Sequence, residues 1–306
     1  MTIRPYEADD APALLGLLHA LAPPTAPPPT LEEWRRQEEA HPARHFRRRL
    51  LLLEGDEVVA HALLFWHPFI HERDLELVLG VAPGARKRGH GTRLLGAVER
   101  EARARGASRL HVPVRDDRPE IRAWAERRGY GLDVHRFSSE LDLAAFDESR
   151  FPAPPEGVEF TTMSGADADT WDRLADFYAD LLATTPDMRG LPRWTRDQVL
   201  WQVRDSPRAA DGEVFLAGEN GRWLGLSALG NFPTHAYNEM TGVIPEARGR
   251  GLALALKLHA IRVARAMGHT VMRTNNLDTN APMLAVNRKL GFRPLPGRWM
   301  LARSLT

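Results

Sequence analysis

The sequence predicts a mixed α/β protein made of two tandem copies of one domain, and three observations lead to this prediction. The chain has 306 residues, about twice the ~150 that one domain typically contains. Residues of the first half recur in the second half at a constant offset of 162 positions, as Val81 and Val243 illustrate. Each half reads as meandering strands followed by a β-α-β unit, which favours an α/β sheet flanked by helices.

The repeat defines the expected domain organisation. The offset joins Arg86-Lys87-Arg88-Gly89 to Arg248-Gly249-Arg250-Gly251 and continues without a net gap to Gly129-Tyr130 and Gly291-Phe292. Solenoid repeats have much shorter periods, of about 20–50 residues, so two whole domains fit better. We expect an N-terminal domain at 1–146, a proline-rich linker at 147–157 and a C-terminal domain at 158–306.

Local signals set the expected elements. Thr30 and Thr195 open capping boxes and predict helix starts, and Asn220-Gly221 predicts a hairpin turn. The predicted strands are 3–5, 47–54, 58–66, 75–81, 109–114, 134–143, 158–163, 213–218, 223–229, 237–244, 270–275 and 294–305. The predicted helices are 9–21, 31–39, 92–105, 119–128, 170–184, 196–204, 252–267 and 280–290.

Composition excludes several classes of function. The chain has no cysteine, so disulfides, thiolate metal sites and cysteine nucleophiles are excluded. His67 and His71 lack a third ligand and read as surface residues, so we expect no metal site. A net charge of +1 gives no field that would attract nucleic acid. The first residues lack a signal-peptide core and no run approaches ~18 apolar residues, so we expect a cytoplasmic protein without a membrane partner.

One basic glycine turn lies between a strand and a helix in each half. In the second half, Arg248-Gly249-Arg250-Gly251 precedes an apolar helical pattern that begins at Leu252. The first turn of such a helix has unpaired N–H groups at the positive end of the helix dipole, and glycine lets a ligand approach the backbone. The turn therefore predicts an anion site, most naturally for a phosphate or pyrophosphate.

The turns carry a family resemblance. The pattern Arg-x-x-Gly-x-Gly/Ala, a preceding Val-x-Pro strand end, and the later Gly129-Tyr130 and Gly291-Phe292 resemble the GNAT superfamily of acyl-CoA-dependent N-acetyltransferases. The tandem arrangement is similar in layout to mycothiol-synthase-like proteins. The resemblance implies a splayed mixed sheet in each half and acetyl-CoA as co-substrate. The pantetheine would lie beside the strand that ends at Val243, and the pyrophosphate on the backbone N–H groups of about 248–253.

Carried over position by position, the resemblance implies a set of coenzyme-binding residues. In the second half these are Thr241, Gly242, Val243, Arg248, Gly249, Arg250, Gly251, Leu252, Ala253 and Asn280, and in the first half Val81, Arg86, Arg88, Gly89 and Gly91. Asn280 is equally well explained as a helix N-cap before Ala281-Pro282.

The resemblance also implies catalytic roles. Glu239, on the strand before Val243, would take the proton of the attacking amine, unless it is a solvated or salt-bridged carboxylate. A backbone N–H near Val243 would stabilise the oxyanion. Asn287 occupies the position where the family often has a tyrosine acid; it could also be a helix surface residue. An amide cannot give up a proton, so water, Tyr178 or Tyr237 would protonate the leaving thiolate.

The two halves differ at the positions that matter for chemistry. The first half has Arg118 and Ala125 where the second has Asn280 and Asn287, so we expect catalysis in the second half. The first half would bind acyl-CoA or be mainly structural. The sequence therefore predicts an N-acetyltransferase for a primary amine of a small molecule or peptide. The alternative is a non-catalytic acyl-CoA sensor or scaffold.

Overall fold

The computed structural model of the chain describes residues 1–22, 29–39, 45–206, 209 and 212–306. These residues form two compact units. Unit 1 contains Met1–Val114, Arg118–Asp133 and Trp299–Thr306, and unit 2 contains Arg115–Asp117 and Val134–Arg298.

The predicted order of elements is confirmed, except that the single strand predicted at 294–305 is two separate strands. The strands are β1 (Thr2–Pro5), β2 (Arg47–Glu54), β3 (Glu57–Phe65), β4 (Asp74–Val81), β5 (Arg109–Arg115), β6 (Gly131–Asp142), β7 (Glu159–Thr162), β8 (Glu213–Glu219), β9 (Arg222–Phe232), β10 (His235–Val243), β11 (Val271–Leu277), β12 (Arg293–Pro294) and β13 (Arg298–Ser304). The helices are α1 (Ala11–Leu21), α2 (Leu31–Glu39), α3 (His90–Ala104), α4 (Pro119–Glu126), α5 (Ala168–Ala183), α6 (Arg196–Leu200), α7 (Leu252–Ala266) and α8 (Ala281–Leu290). The capping box of Thr195 and Gln198 starts α6, which continues as a π-helical turn, Trp201–Asp205.

Unit 1 is built on a mixed sheet. Its strand order is β1-β2-β3-β4-β5-β13, with β4 and β5 parallel. That parallel pairing joins Asp74–Glu76 to Arg109–His111, while β4 continues to Val81. Helix α3 buries Leu94, Leu95 and Val98 in the core of this unit.

Unit 2 repeats the design. Its strand order is β6-β11-β10-β9-β8-β7, and β12 adds two residues beside β6. The parallel pairing of β10 and β11 joins Ala236–Asn238 to Met272–Thr274, while β10 continues to Val243. Helix α7 follows β10 in the chain and buries Leu254, Leu258 and Ile261 in the core of this unit.

Each unit takes one strand from the other half of the sequence. Strand β6 ends the first half of the repeat but pairs with β11, and its Leu141 belongs to the core of unit 2. Strand β13 ends the chain but lies beside β5, and its Leu301 belongs to the core of unit 1. The halves 1–146 and 158–306 thus describe the sequence repeat, and the compact units differ from them by these strands. The predicted linker, 147–157, begins with a 3-10 turn, Glu148–Arg150, inside unit 2.

Candidate active site

The open edge of β10 is the first feature of the site. Ladder pairing with β11 reaches Asn238, where Thr274 Oγ1 also donates to the Asn238 carbonyl at 3.0 Å. From Glu239 to Val243 β10 has no ladder pairing with β11 among the described residues. Backbone N–H and C=O groups that lack a ladder partner can bind an extended ligand, because each needs a hydrogen-bond partner.

The turn after β10 is shaped to receive an anion. Pro245–Ala247 forms a 3-10 turn, and Gly249 and Gly251 follow with φ of +78° and +83°. Gly251 is the N-cap of α7 and supplies no side-chain cap, so the first N–H groups of the helix remain for a ligand. Left-handed φ values suit glycine because a Cβ there is strained.

The arginines of the turn bind protein groups. Arg248 Nε donates to the Val243 carbonyl at 3.2 Å, and its Nη2 donates to Thr184 Oγ1 at 3.0 Å. Arg250 forms a two-pronged ion pair with Glu219, with N–O distances of 2.6 and 3.2 Å. Both side chains therefore stabilise the turn, and the backbone N–H groups of Gly251, Leu252 and Ala253 are the candidate anion-binding groups. Direct phosphate contacts by the arginines remain a prediction.

Glu239 lies on a β-bulge of β10. The pairing of β10 with β9 shifts register between Asn238 and Met240, so Glu239 is the extra residue. Its Oε2 accepts a hydrogen bond from Gln202 Nε2 at 3.3 Å, and the side chain is half-buried. Tyr178 on α5 is buried nearby; burial and the negative charge of Glu239 raise the pKa of its hydroxyl well above 10. Tyr178 therefore stays protonated and is a weak proton donor.

Asn287 is buried, so its interpretation as a surface residue is wrong. The side chain of Asn287 is 3% exposed, and its Nδ2 donates to Asn276 Oδ1 at 2.7 Å. Asn276 in turn donates to Ser139 Oγ at 2.8 Å. Asn287 Oδ1 has no hydrogen-bond partner among the described residues. A buried acceptor without a donor is costly, so this atom is a candidate contact for a bound ligand.

Asn280 caps a helix, as one of its two interpretations predicts. Its Oδ1 accepts from the Met283 N–H at 3.4 Å at the start of α8. A coenzyme contact by Asn280 remains a prediction. Of the other predicted residues, Gly242 lies against α5: a Cβ there would lie 3.3 Å from Leu181, so glycine lets the helix pack closely.

A buried lysine beneath β10 was not predicted. Lys257 on α7 is 1% exposed, and its Nζ donates to Asn238 Oδ1 at 2.5 Å and lies 5.3 Å from the centre of the Phe292 ring. Burial lowers the pKa of the Lys257 ammonium from 10.5 to about 7. The sequence signal was a lone lysine between Leu254, Leu258 and Ile261 on the apolar face of the helix.

The lowered pKa of Lys257 predicts how the stability of the fold changes with pH. Between about pH 7 and 10.5 Lys257 is protonated in the unfolded chain and neutral in the folded chain. The free energy of unfolding therefore increases as the pH rises through that window. Below pH 7 the burial of the charged lysine lowers the free energy of unfolding by roughly 4–5 kcal/mol. A methionine variant regains this amount and loses the ~1–3 kcal/mol of the hydrogen bond to Asn238. We therefore expect Lys257→Met to stabilise the fold at pH 6 and to destabilise it slightly at pH 10, where mainly the loss of the hydrogen bond to Asn238 remains, as measured by urea unfolding.

A matched control for this prediction comes from the repeat. Leu95 on α3 occupies the position of Lys257 in the first half and is also buried. Leu95→Met should have the same effect on the free energy of unfolding at both pH values. An equal effect of Lys257→Met at pH 6 and pH 10 would contradict a depressed lysine pKa.

Unit 1 has the same glycine turn before α3, but different side chains lie around it. Arg86 Nε donates to the Val81 carbonyl at 3.2 Å, and Gly89 starts α3 with φ of +84°. The ring of Trp124 on α4 lies 3.7 Å from the position of a Cβ on Gly91. The second half has Val286 where the first half has Trp124.

Arg128 closes the same region of unit 1. Its guanidinium lies 4.0 Å from the centre of the Trp124 ring, and its Nη2 donates to Thr92 Oγ1 at 2.8 Å. The indole and this arginine therefore occupy space beside the first turn of α3.

Two further findings concern the described ranges as a whole. No helix there is long and apolar enough to cross a membrane. No group of three or more His, Cys, Asp or Glu side chains in these ranges could hold a metal ion.

The fold and site together define a class of protein. A strand edge without ladder pairing, followed by an uncapped glycine turn and a helix, is the arrangement that the resemblance to acyl-CoA-dependent acyltransferases predicts. The chain belongs to the acetyltransferase (GNAT) family, whose sequence model matches residues 14–130 and 174–292. The predicted tandem of two such domains is thereby confirmed, and acetyl-CoA is the co-substrate.

Individual relatives agree with this assignment. The chain is 29% identical over 269 residues to a mycothiol acetyltransferase of Saccharomonospora viridis, covering 80% of each chain. It is 29% identical over 305 residues to one of Cellulomonas flavigena, covering 94% of this chain and 83% of the relative. A solved tandem GNAT protein from the clavulanic acid biosynthesis pathway shares the fold with a TM-score of 0.77 and 22% identity, over 100% of this chain and 98% of that one.

Proposed function

We propose that the second half of the chain transfers an acetyl group from acetyl-CoA to a primary amine of a small molecule. The observation that carries the proposal is that one strand, β10, brings together the open edge, the anion turn and the carboxylate of Glu239. The first half has Leu77 at the position of Glu239. The name of the relatives, mycothiol acetyltransferase, supports a small-molecule acceptor. A net charge of +1 argues against a nucleic acid partner.

The residues present fit the co-substrate. The N–H groups at the start of α7 would hold the pyrophosphate, and the open edge of β10 would bind the pantetheine amides. Acetyl-CoA supplies the thioester-bound acetyl group that the amine attacks. The partnerless Asn287 Oδ1 lies on α8 and is a further acceptor for a donor on the ligand.

The chain's own groups then divide the proton transfers. Glu239 accepts the proton that the amine nitrogen loses on forming its bond to the acetyl carbon. Backbone N–H groups near Val243 stabilise the negative charge on the carbonyl oxygen. The C–S bond breaks, and the thiolate takes its proton from water or from Tyr237: the Asn287 amide is not an acid, and Tyr178 holds its proton too tightly. A thiol pKa of about 8.5 makes this step undemanding.

The test is amine-dependent release of free CoA thiol. Because the chain has no cysteine, a thiol-reactive dye reports only the released coenzyme. A panel of amino sugars, polyamines, amino acids and short peptides should contain at least one amine that accelerates release from acetyl-CoA. Tight coenzyme binding without release by any amine would contradict the proposal and favour the sensor or scaffold.

A further inference from the structure

The bulge that carries Glu239 is held by buried side chains, of which Asn238 makes the most contacts; Ser227 Oγ also donates to the Met240 carbonyl at 3.3 Å. Asn238 Nδ2 donates to Ser227 Oγ at 2.8 Å and lies 3.3 Å from the carbonyl oxygens of Ala228 and Met240. Ala228 and Met240 pair with each other directly after the register shift, and Asn238 pairs with Leu229 directly before it. Because a bulge disrupts the ladder, such carbonyls need a donor from elsewhere. Asn238 precedes Glu239, and its amide therefore stabilises the backbone at Met240, which follows Glu239.

Lys257 decides which way this amide faces. Its Nζ carries N–H donors in both protonation states and lies 2.5 Å from Asn238, and the atom that it meets is the oxygen of Asn238. Thr241 Oγ1 donates to the same oxygen at 3.1 Å. With the oxygen held on the lysine side, the NH2 group is directed at the bulge. Turning the amide over would set its NH2 against the lysine and an oxygen against two carbonyls.

The repeat provides an internal comparison. In the first half, Leu95 replaces Lys257 and Glu76 replaces Asn238. Strand β4 pairs with β3 from Val81 to Glu76 without a register shift, and Leu77 replaces Glu239. The lysine, the asparagine, the bulge and the carboxylate thus occur together in unit 2 and are replaced together in unit 1. Leu95 is an apolar side chain at the corresponding position of unit 1, so packing alone does not require a lysine at this position of unit 2.

We propose that Lys257 is a positioning residue for Glu239, acting through Asn238 and the bulge. The inference rests on the proposed function, because Glu239 is its proposed base. A buried lysine lowers the stability of the fold, and such residues are kept where they serve function. The side chain has no role in binding the coenzyme, since it lies beneath β10 and contacts Asn238 and Phe292.

The test compares Lys257→Met, which removes the donor, with Lys257→Gln, which keeps an N–H donor. With the amine found in the screen, Lys257→Met should lower kcat by about 10- to 100-fold, because small displacements of a catalytic group have effects of this size. Acetyl-CoA affinity, measured by calorimetry, should change by no more than about twofold, and Lys257→Gln should recover much of kcat. Leu95→Met is the matched control and should retain the parent's kcat.

A double-mutant cycle separates this inference from the proposed function. Lys257→Met should have no further effect on kcat when Glu239 is already glutamine, because both changes act on one step. A loss from Glu239→Gln with none from Lys257→Met would overturn the inference and leave the proposed function intact. Additive losses would show that the lysine acts by another route and would also overturn it.

Crystal structures of the parent and Lys257→Met test the inference without any turnover. We expect the variant to show the Asn238 amide turned or displaced and the register shift at Glu239 altered, with Lys257→Gln unchanged. An identical bulge in the methionine variant would overturn the positioning role whether or not the acceptor amine is found.

Discussion

Replacing Glu239 with glutamine should lower kcat for acetyl transfer by about 10²- to 10⁴-fold, the usual contribution of a general base. Glutamine has the same shape and can still accept the hydrogen bond from Gln202, so the bulge and its surroundings should persist. It cannot take a proton from the amine. Because the turn before α7 is untouched, the affinity for acetyl-CoA should be nearly unchanged. Steady-state kinetics and calorimetry measure the two quantities.

The control for this variant is another carboxylate in the same sheet. Glu213 on β8 is half-buried, and burial raises the pKa of its carboxyl. Glu213→Gln therefore removes a comparable charge from unit 2, and kcat should stay at the parent value. An unchanged kcat in Glu239→Gln would show that Glu239 is not the base. A loss of the same size in both variants would show that the effect is a general one on the sheet.

The parts of the fold that depend on neighbouring residues were predictable from the sequence. The repeat located both turns, and the apolar pattern with Gly268 predicted a helix at 252–267 where α7 spans Leu252–Ala266. The placement of β6 in unit 2 and of β13 in unit 1 was not predictable in this way. Each half ends in a strand of similar character, and the contacts that separate them, such as Leu141 in the core of unit 2 and Leu301 in the core of unit 1, are distant in sequence.

The missed parts of the site depend on contacts distant in sequence. Lys257 looked like a polar break in an apolar helix, and only the proximity of Asn238 shows what it does. The bulge at Glu239 arises from the pairing of β10 with β9, so the strand pattern alone could not reveal it. Asn287 was ambiguous because its burial depends on Asn276 of β11.

Substituting Gly251 with glutamate should weaken acetyl-CoA binding by at least about 100-fold. The residue has φ of +83°, where a non-glycine residue is strained by roughly 1–2 kcal/mol. The added carboxylate would also lie at the N-terminus of α7, where it competes with the pyrophosphate for the same N–H groups. Gly251→Ala keeps the strain without the charge and should show a smaller loss. Calorimetry with acetyl-CoA measures all three proteins.

The matched change in the first half, Gly89→Glu, has nearly the same backbone angle, with φ of +84°. There Trp124 and Arg128 lie against the first turn of α3, so we expect the parent chain to bind one acetyl-CoA tightly and Gly89→Glu to retain that site. Two tight sites in the parent, one of them lost in Gly89→Glu, would show that the indole leaves room for coenzyme and that both predicted turns bind. Full binding by Gly251→Glu would instead remove the anion turn of the second half from the proposed site.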